Sequence, residues 1–431
     1  MDIYNWDMVC AVSCRELNKK LKLASRDAFG TFSWSDDEGN KITGEFDGWE
    51  IVPGGDAQRI NIVTPLSTGR LEATVLGQHV DVPVNGLCPE LQVELAFVSA
   101  KNSTGDTHLK FNVSRVSKKD NEITAGDGSV VVIAPDTTRI FPASESIIPE
   151  LYCDMMARML VAMRDKIEFI FAEVADISKE SSVSWMKPVM LAYAYNEKLR
   201  GELGCLAVLA TLDDTTDEGW EPLGPDPERQ LIFDSALVRE GGSIGFMLSR
   251  HMFMKRVVRP GLPGVLRGSA LSQYSLDSND VIRNNGNVLL NKVEGYTPYF
   301  THLEIEITDN RIVINNTYGL CDVGADRSYN SFELSGFYAP ELLVSGDRYS
   351  VALNNINGPS LSTEIHDDLA KWLWIFGGKR VDELLHTIKD EMNGLLFEFS
   401  TRMNFEVWPI TFGTDTRYGE CGLAGNFYMR D

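Results

Sequence analysis

Two passes of one order constrain this chain more than any other feature: a short helical stretch, a strand-rich block, then a long helical stretch. An amphipathic helix is expected from Ile3 to Ala24, with Trp6, Cys10, Cys14, Leu17, Leu21 and Ala24 on one stripe at spacings of three and four. Alternating sequence follows, as in Thr43 to Val52, Leu71 to Leu76 and Leu91 to Val98. It is punctuated by Gly54-Gly55-Asp56, Asn85-Gly86 and Gly126-Asp127-Gly128. Alternation, rather than continuous apolar runs, predicts antiparallel strands with one wet face. A long helix is then expected from Pro149 to Ser178, opened by a proline suited to a first turn. The order recurs with a short helix from Ser243 to Val258, a second strand block, and a long helix from Glu364 to Met403. That last helix is broken at Gly377-Gly378 and continued by Val381, Leu385, Ile388, Met392, Leu395 and Phe399. Within the second block, Leu303, Ile305 and Ile307 lead to Asp309-Asn310, and Ile312 and Ile314 lead away, which predicts a two-residue hairpin.

The reading is therefore α+β, with two modules, each a long helix wrapped by a highly curved antiparallel sheet. The small polar residues around Ser178 to Ser184 divide them, giving an N-terminal module over 1–179 and central strands with a C-terminal module over 180–431. A length of 431 residues is more than one ordinary core organises. Forty basic against 62 acidic side chains, a net charge of −22, exclude nucleic acid as a partner and anionic membrane docking as the main attachment. Lys19, Lys20, Lys22 and Lys255, Arg256, Arg259 are read as helix-end and solubilising charges. Seven scattered cysteines, without a CxxC pair, form neither a disulfide framework nor a zinc site, and they fit a reducing compartment. No stretch is apolar for long enough to span a bilayer as a helix, and no signal peptide opens the sequence. Synthesis in the cytoplasm is expected, with any release following a route other than Sec.

Four constellations are candidates for function. Gly241-Gly242-Ser243-Ile244-Gly245 matches the G-x-S-x-G nucleophile elbow of serine esterases. Asp280 or Asp322 and then His302, His366 or His386 follow in the right order. The context is wrong, because Arg239-Glu240 rather than a buried parallel strand precede the glycines. The competing reading is a glycine turn with Ser243 capping a helix. Glu383 and His386 form one ExxH pair where a di-iron bundle needs two, so neither metal nor cofactor is expected. The acidic loop at 213–227 lacks the spacing of an EF-hand. The fourth is the methionine-rich helix face: Tyr152, Met155, Met156, Met159, Met163 and Ile167. Methionine packs cores and also lines adaptable apolar grooves, so this face is both a core candidate and the candidate hydrophobic-ligand groove.

Tyr4-Asn5-Trp6-Asp7 with Asn18-Lys19, Trp185-Met186-Lys187-Pro188 followed by Ala192-Tyr193-Ala194-Tyr195, and Phe246-Met247-Leu248-Ser249 through Arg259-Pro260-Gly261-Leu262-Pro263 carry a resemblance in their joint order. The chain resembles the accessory proteins encoded in OrfX-type botulinum neurotoxin gene clusters, of the P-forty-seven type. The resemblance implies a TULIP-like fold in both modules and no catalytic residues. It also implies a non-enzymatic binding role in toxin complexes, insect-active ones included, beside other OrfX-type proteins. Lipid is the ligand class it suggests.

Overall fold

The computed structural model describes residues 1–100, 105–117, 126–134, 147–177, 184–197, 203–212, 230–325, 328–345, 348–367, 402–405, 410–414 and 417–431, together with Glu383, His386, Thr387 and Asp390. The chain divides into two compact units. The larger comprises Tyr4–Phe246, Val407–Tyr418 and Arg430–Asp431; the smaller comprises Met1–Ile3, Met247–Glu406 and Gly419–Met429.

In the larger unit the strands Met8–Ser13 and Cys205–Leu212 pair antiparallel, Cys10 opposite Val208, and Pro188–Asn196 adds to the second. Every residue of the first two strands is buried, so both of their faces are covered. A strand with no wet face reads as a continuous apolar run, and Met-Val-Cys-Ala-Val is one. The expected helix from Ile3 is thus corrected: its first half is this strand, and the helix α1 spans Cys14–Asp27. Cys10 fell on helical spacing because every position of this strand is buried, and Trp6, also buried, precedes it. Ser13 caps α1, accepting from Glu16 N–H at 3.4 Å. The buried Asn18 amide bonds both ways to the backbone of Ile51: its Nδ2 donates to the Ile51 carbonyl at 2.9 Å, and its Oδ1 accepts from the Ile51 N–H at 2.7 Å. Ser25 Oγ accepts from Trp49 N–H at 2.8 Å. Lys19, Lys20 and Lys22 are mid-helix rather than terminal, with Lys19 paired to Glu16 and Lys22 to Glu50.

Two further sheets complete this unit. One runs Thr31–Ser35, Lys41–Phe46, Leu66–Val75, Gln78–Pro83. The other runs Arg115–Val116, Ser129–Ala134, Glu90–Ser99, Thr107–Asn112, Ile170–Val174, Ile410–Thr411, with the hairpin Glu50–Asp56/Arg59–Val63 joined through Glu90–Ser99. Gly54 to Asp56, expected as a turn, closes the first strand of that hairpin instead. The long helix expected from Pro149 to Ser178 is also corrected: α2 spans Ile147–Ala162, the chain turns through Met163–Lys166, and Ile170–Val174 is a strand. Glu94, 2% exposed in mid-strand, accepts from Gly126 N–H at 3.0 Å and Gly128 N–H at 3.3 Å, holding a turn whose glycines sit at positive φ.

The smaller unit is built on one antiparallel sheet: Tyr274–Leu276, Ile282–Asn284, Tyr299–Thr308, Arg311–Ala325, Ser328–Ser345, Arg348–Asp367, Arg402–Phe405. The Asp309-Asn310 hairpin is present as expected, with Thr308 opposite Arg311 and φ values of 50° and 60° at the two turn residues. The helix expected from Ser243 to Val258 is replaced by a strand, Ile244–Leu248, and a later helix that runs from Arg250 to Val265 and includes a π turn at Met254–Val258. Its cap is Ser249, whose Oγ accepts from Met252 N–H at 3.2 Å. Glu364 to Asp367, expected to begin the last long helix, end the strand Arg348–Asp367, and Met403 lies in Arg402–Phe405. Gly377-Gly378 and the stripe from Val381 to Phe399 lie outside the described residues.

Replacing Glu94 by alanine strands two backbone donors, and a loss of about 1–3 kcal/mol is expected. A lower thermal midpoint with faster amide exchange at Gly126–Gly128 would show it. Burial also fixes a pH dependence. It pushes the thiols of Cys10 and Cys14 and the phenols of Tyr193, Tyr195 and Tyr274 upward, and Tyr338 to about 12. These groups ionise more readily in the unfolded chain, so their contribution is complete below about pH 9 and is lost as pH rises. The thermal midpoint should therefore fall progressively above about pH 9.

Candidate functional site

Helix α2 and the segment that follows it bring the predicted groove residues together. Tyr152, Met155, Met156, Met159, Met163 and Ile167 are each at most 5% exposed, and Leu160 and Phe171 are buried with them. The helix packs on Thr31–Ser35 and Lys41–Phe46 of one sheet and on Arg115–Val116 and Ser129–Ala134 of the other. A helix covered from two sides must be apolar around most of its circumference, which accounts for the second set of apolar positions beside the main stripe.

Sequence reasoning missed what accompanies it. Seven aromatic rings from separate strands and loops form a connected seam. Phe32 meets Phe46 at 4.7 Å between centroids, Phe46 meets Trp49 edge-on at 5.2 Å, and Phe29 meets Trp49 at 4.9 Å. Trp49 reaches Phe111 at 5.8 Å, and Phe111, Phe171 and Phe169 close a triangle. Phe32 and Phe46 belong to the two strands that α2 touches on that side. Such edge-to-face pairs add about 0.5–1.5 kcal/mol each beyond area burial. The Trp49 indole N–H is buried in this seam without an acceptor among the described residues. The available signal was phenylalanine or tryptophan at inward positions of successive strands, but which rings meet depends on strand pairing.

The serine turn is not an elbow. Ser243 is 7% exposed; its N–H donates to Asp431 Oδ2 at 2.7 Å, and its carbonyl accepts from Ser13 N–H at 2.8 Å. Arg15 donates to the carbonyls of Gly241 and Gly242. An elbow needs strand, serine, helix; here a turn leads into a strand. Of the proposed partners, Asp280 bonds His251 at 2.7 Å, His302 bonds Asn316 at 2.9 Å and His366 bonds Ser331 at 2.7 Å. Glu383 and His386 are exposed helical residues. Among the described residues no cluster of histidine, cysteine or carboxylate has the arrangement of a metal site, and no helix is long and apolar enough to cross a membrane.

The family described as OrfX-like (Protein OrfX2/OrfX3/P47) matches residues 3–321. A P47 protein of Clostridium botulinum (strain Kyoto / Type A2) is 24% identical over 260 residues, which cover 60% of this chain and 56% of that protein. OrfX3 of Paraclostridium bifermentans is 22% identical over 400 residues, covering 86% and 79%. Among solved structures, P47 of Clostridium botulinum A2 superimposes with a TM-score of 0.73 at 20% identity, covering 100% of this chain and 98% of that one. P47 of Clostridium botulinum E1 gives 0.70 at 17%, covering 100% and 99%. At these identities the likeness shows a shared fold.

With its backbone tied on both sides and its neighbours engaged, Ser243 should not react with a fluorophosphonate probe. Labelling of Ser243 in the folded protein, read by peptide mass spectrometry, would restore the esterase reading.

Proposed function

The chain belongs to the OrfX-like family of OrfX2, OrfX3 and P47 proteins, and from that premise we propose that it is a non-enzymatic accessory protein of a toxin gene cluster that works by binding. Its partners in this reading are other OrfX-type proteins of the same cluster, and its interior takes a lipid or another hydrophobic ligand in a TULIP-like manner. The observation that carries the hydrophobic-ligand part is the enclosed face of α2 and the turn that follows it. Four methionines, Met155, Met156, Met159 and Met163, meet an interior bounded by two sheets. Methionine has three rotatable bonds and a polarizable sulfur, so a wall of it accommodates an acyl chain without a fixed shape.

The same burial supports a second reading. Side chains at most 5% exposed can fill their own interior at protein density, leaving the exterior to bind partner proteins. Native mass spectrometry of the freshly purified full chain separates the two. The lipid reading expects a co-purified mass of lipid size that is lost on denaturation. It also expects Met159→Phe, which adds bulk without charge, to lower that occupancy severalfold while the circular dichroism is kept. A clean apo mass would end the lipid reading and leave the accessory role to protein–protein contacts.

A further inference from the structure

The outer face of the four-stranded sheet carries a cleft of about 470 Å³ lined by Thr43, Gly44, Thr68, Gly69, Arg70, Asp81, Pro83 and Asn85. Its floor follows from two glycines set directly opposite each other, Gly44 and Gly69. A Cβ on Gly44 would meet the Thr68 carbonyl at 2.5 Å and the Phe32 ring at 2.8 Å; one on Gly69 would meet a Val84 methyl at 2.7 Å. The inward side chains of this row are thus missing, and the backbone lies close on Phe32 and Val84. Beside the pair the register shifts between Glu45 and Phe46, a bulge that bends the strand.

The walls are polar and ordered. Thr43, Arg70 and Pro83 stand abreast across three strands. Arg70 donates through Nε to Asp81 Oδ1 at 2.7 Å and through its Nη2 to the other carboxylate oxygen, and Glu72 lies 3.6 Å from the same guanidinium. Asn85 Oδ1 accepts from Gly69 N–H at 2.7 Å, which sets the plane of its amide.

We propose that this cleft binds a neutral polyhydroxylated ligand, a saccharide. The volume lies within the range of small-ligand sites, roughly 300–1,000 Å³, but the lining is too polar for an acyl chain. The one guanidinium of the lining is already paired with the Asp81 carboxylate, so the wall offers no uncompensated positive charge, which disfavours phosphate, sulfate and carboxylate ligands. Paired hydroxyls match what is offered: two carboxylate oxygens and the amide of Asn85 in fixed planes, the Thr43 and Thr68 hydroxyls as donor or acceptor, and the apolar face of Pro83 for a sugar's C–H side. The proposal rests on nothing in the apolar interior and stands or falls apart from the lipid reading.

The test is an array of neutral glycans probed with the intact chain, with sialylated and sulfated glycans in parallel, followed by competition with the free methyl glycoside of any hit. Binding to neutral glycans is expected. It should be competed by the methyl glycoside and weakened at least about tenfold by Asp81→Asn, in line with loss of a charge-assisted hydrogen bond. Thr68→Val, which removes one hydroxyl and leaves the ion pair, should weaken it too and serves if Asp81→Asn disturbs the sheet. No neutral glycan bound, a preference for the anionic arm, failure of the free glycoside to compete, or binding unchanged in both folded variants would overturn the proposal.

Discussion

Burial of Met8–Ser13 and Cys205–Leu212 on both faces is the constraint from which the rest of the larger unit follows. A strand pair with no solvent face requires cover on each side, and the local sequence cannot supply it. One element of that environment is α1, which begins at Cys14 immediately after the first strand and keeps Cys14, Leu17 and Leu21 buried. At about 25 cal/mol per Å² of apolar area, such a layer is the dominant favourable term of its neighbourhood. The sheet edges and turns can then be polar, as the Glu94 turn and the Arg15 and Asp431 contacts around Gly241 to Ser243 are.

The strands were far more legible than the helices. Ile305, Ile307, Ile312 and Ile314 alternate around Asp309-Asn310, and the residues at that turn tolerate positive φ, so pattern and turn chemistry pointed the same way. Helices were over-read wherever burial is two-sided. Ile167, Ile170, Val174 and Ile177 keep helical spacing beyond α2, yet Phe169-Ile170-Phe171 is aromatic and β-branched, and Ile170 and Glu173 face outward while Phe171 and Val174 face inward. Period two and period 3.6 coincide over so short a window, and the composition was the better guide.

Of the candidate site, most of the methionine face could be read because Tyr152, Met155, Met156 and Met159 share one helix, with Met163 in the turn after it. The aromatic seam could not, since its seven rings come from Phe29 through Phe171 and meet only once the strands have paired. The saccharide cleft was hidden for the same reason. Gly44 and Gly69 are unremarkable apart and form a floor only in register.

The amide of Asn18 has a consequence beyond the strength of its two bonds to Ile51. Apolar layers tolerate sliding, because one aliphatic contact replaces another at little loss. A buried amide does not, since moving α1 by one turn along the strand would leave a donor and an acceptor in apolar surroundings, at about 1–3 kcal/mol each. Asn18 therefore acts as a registration key. It selects one alignment of helix and strand from several of similar packing energy, as a single buried asparagine does in a coiled coil, and it contributes uniqueness more than stability.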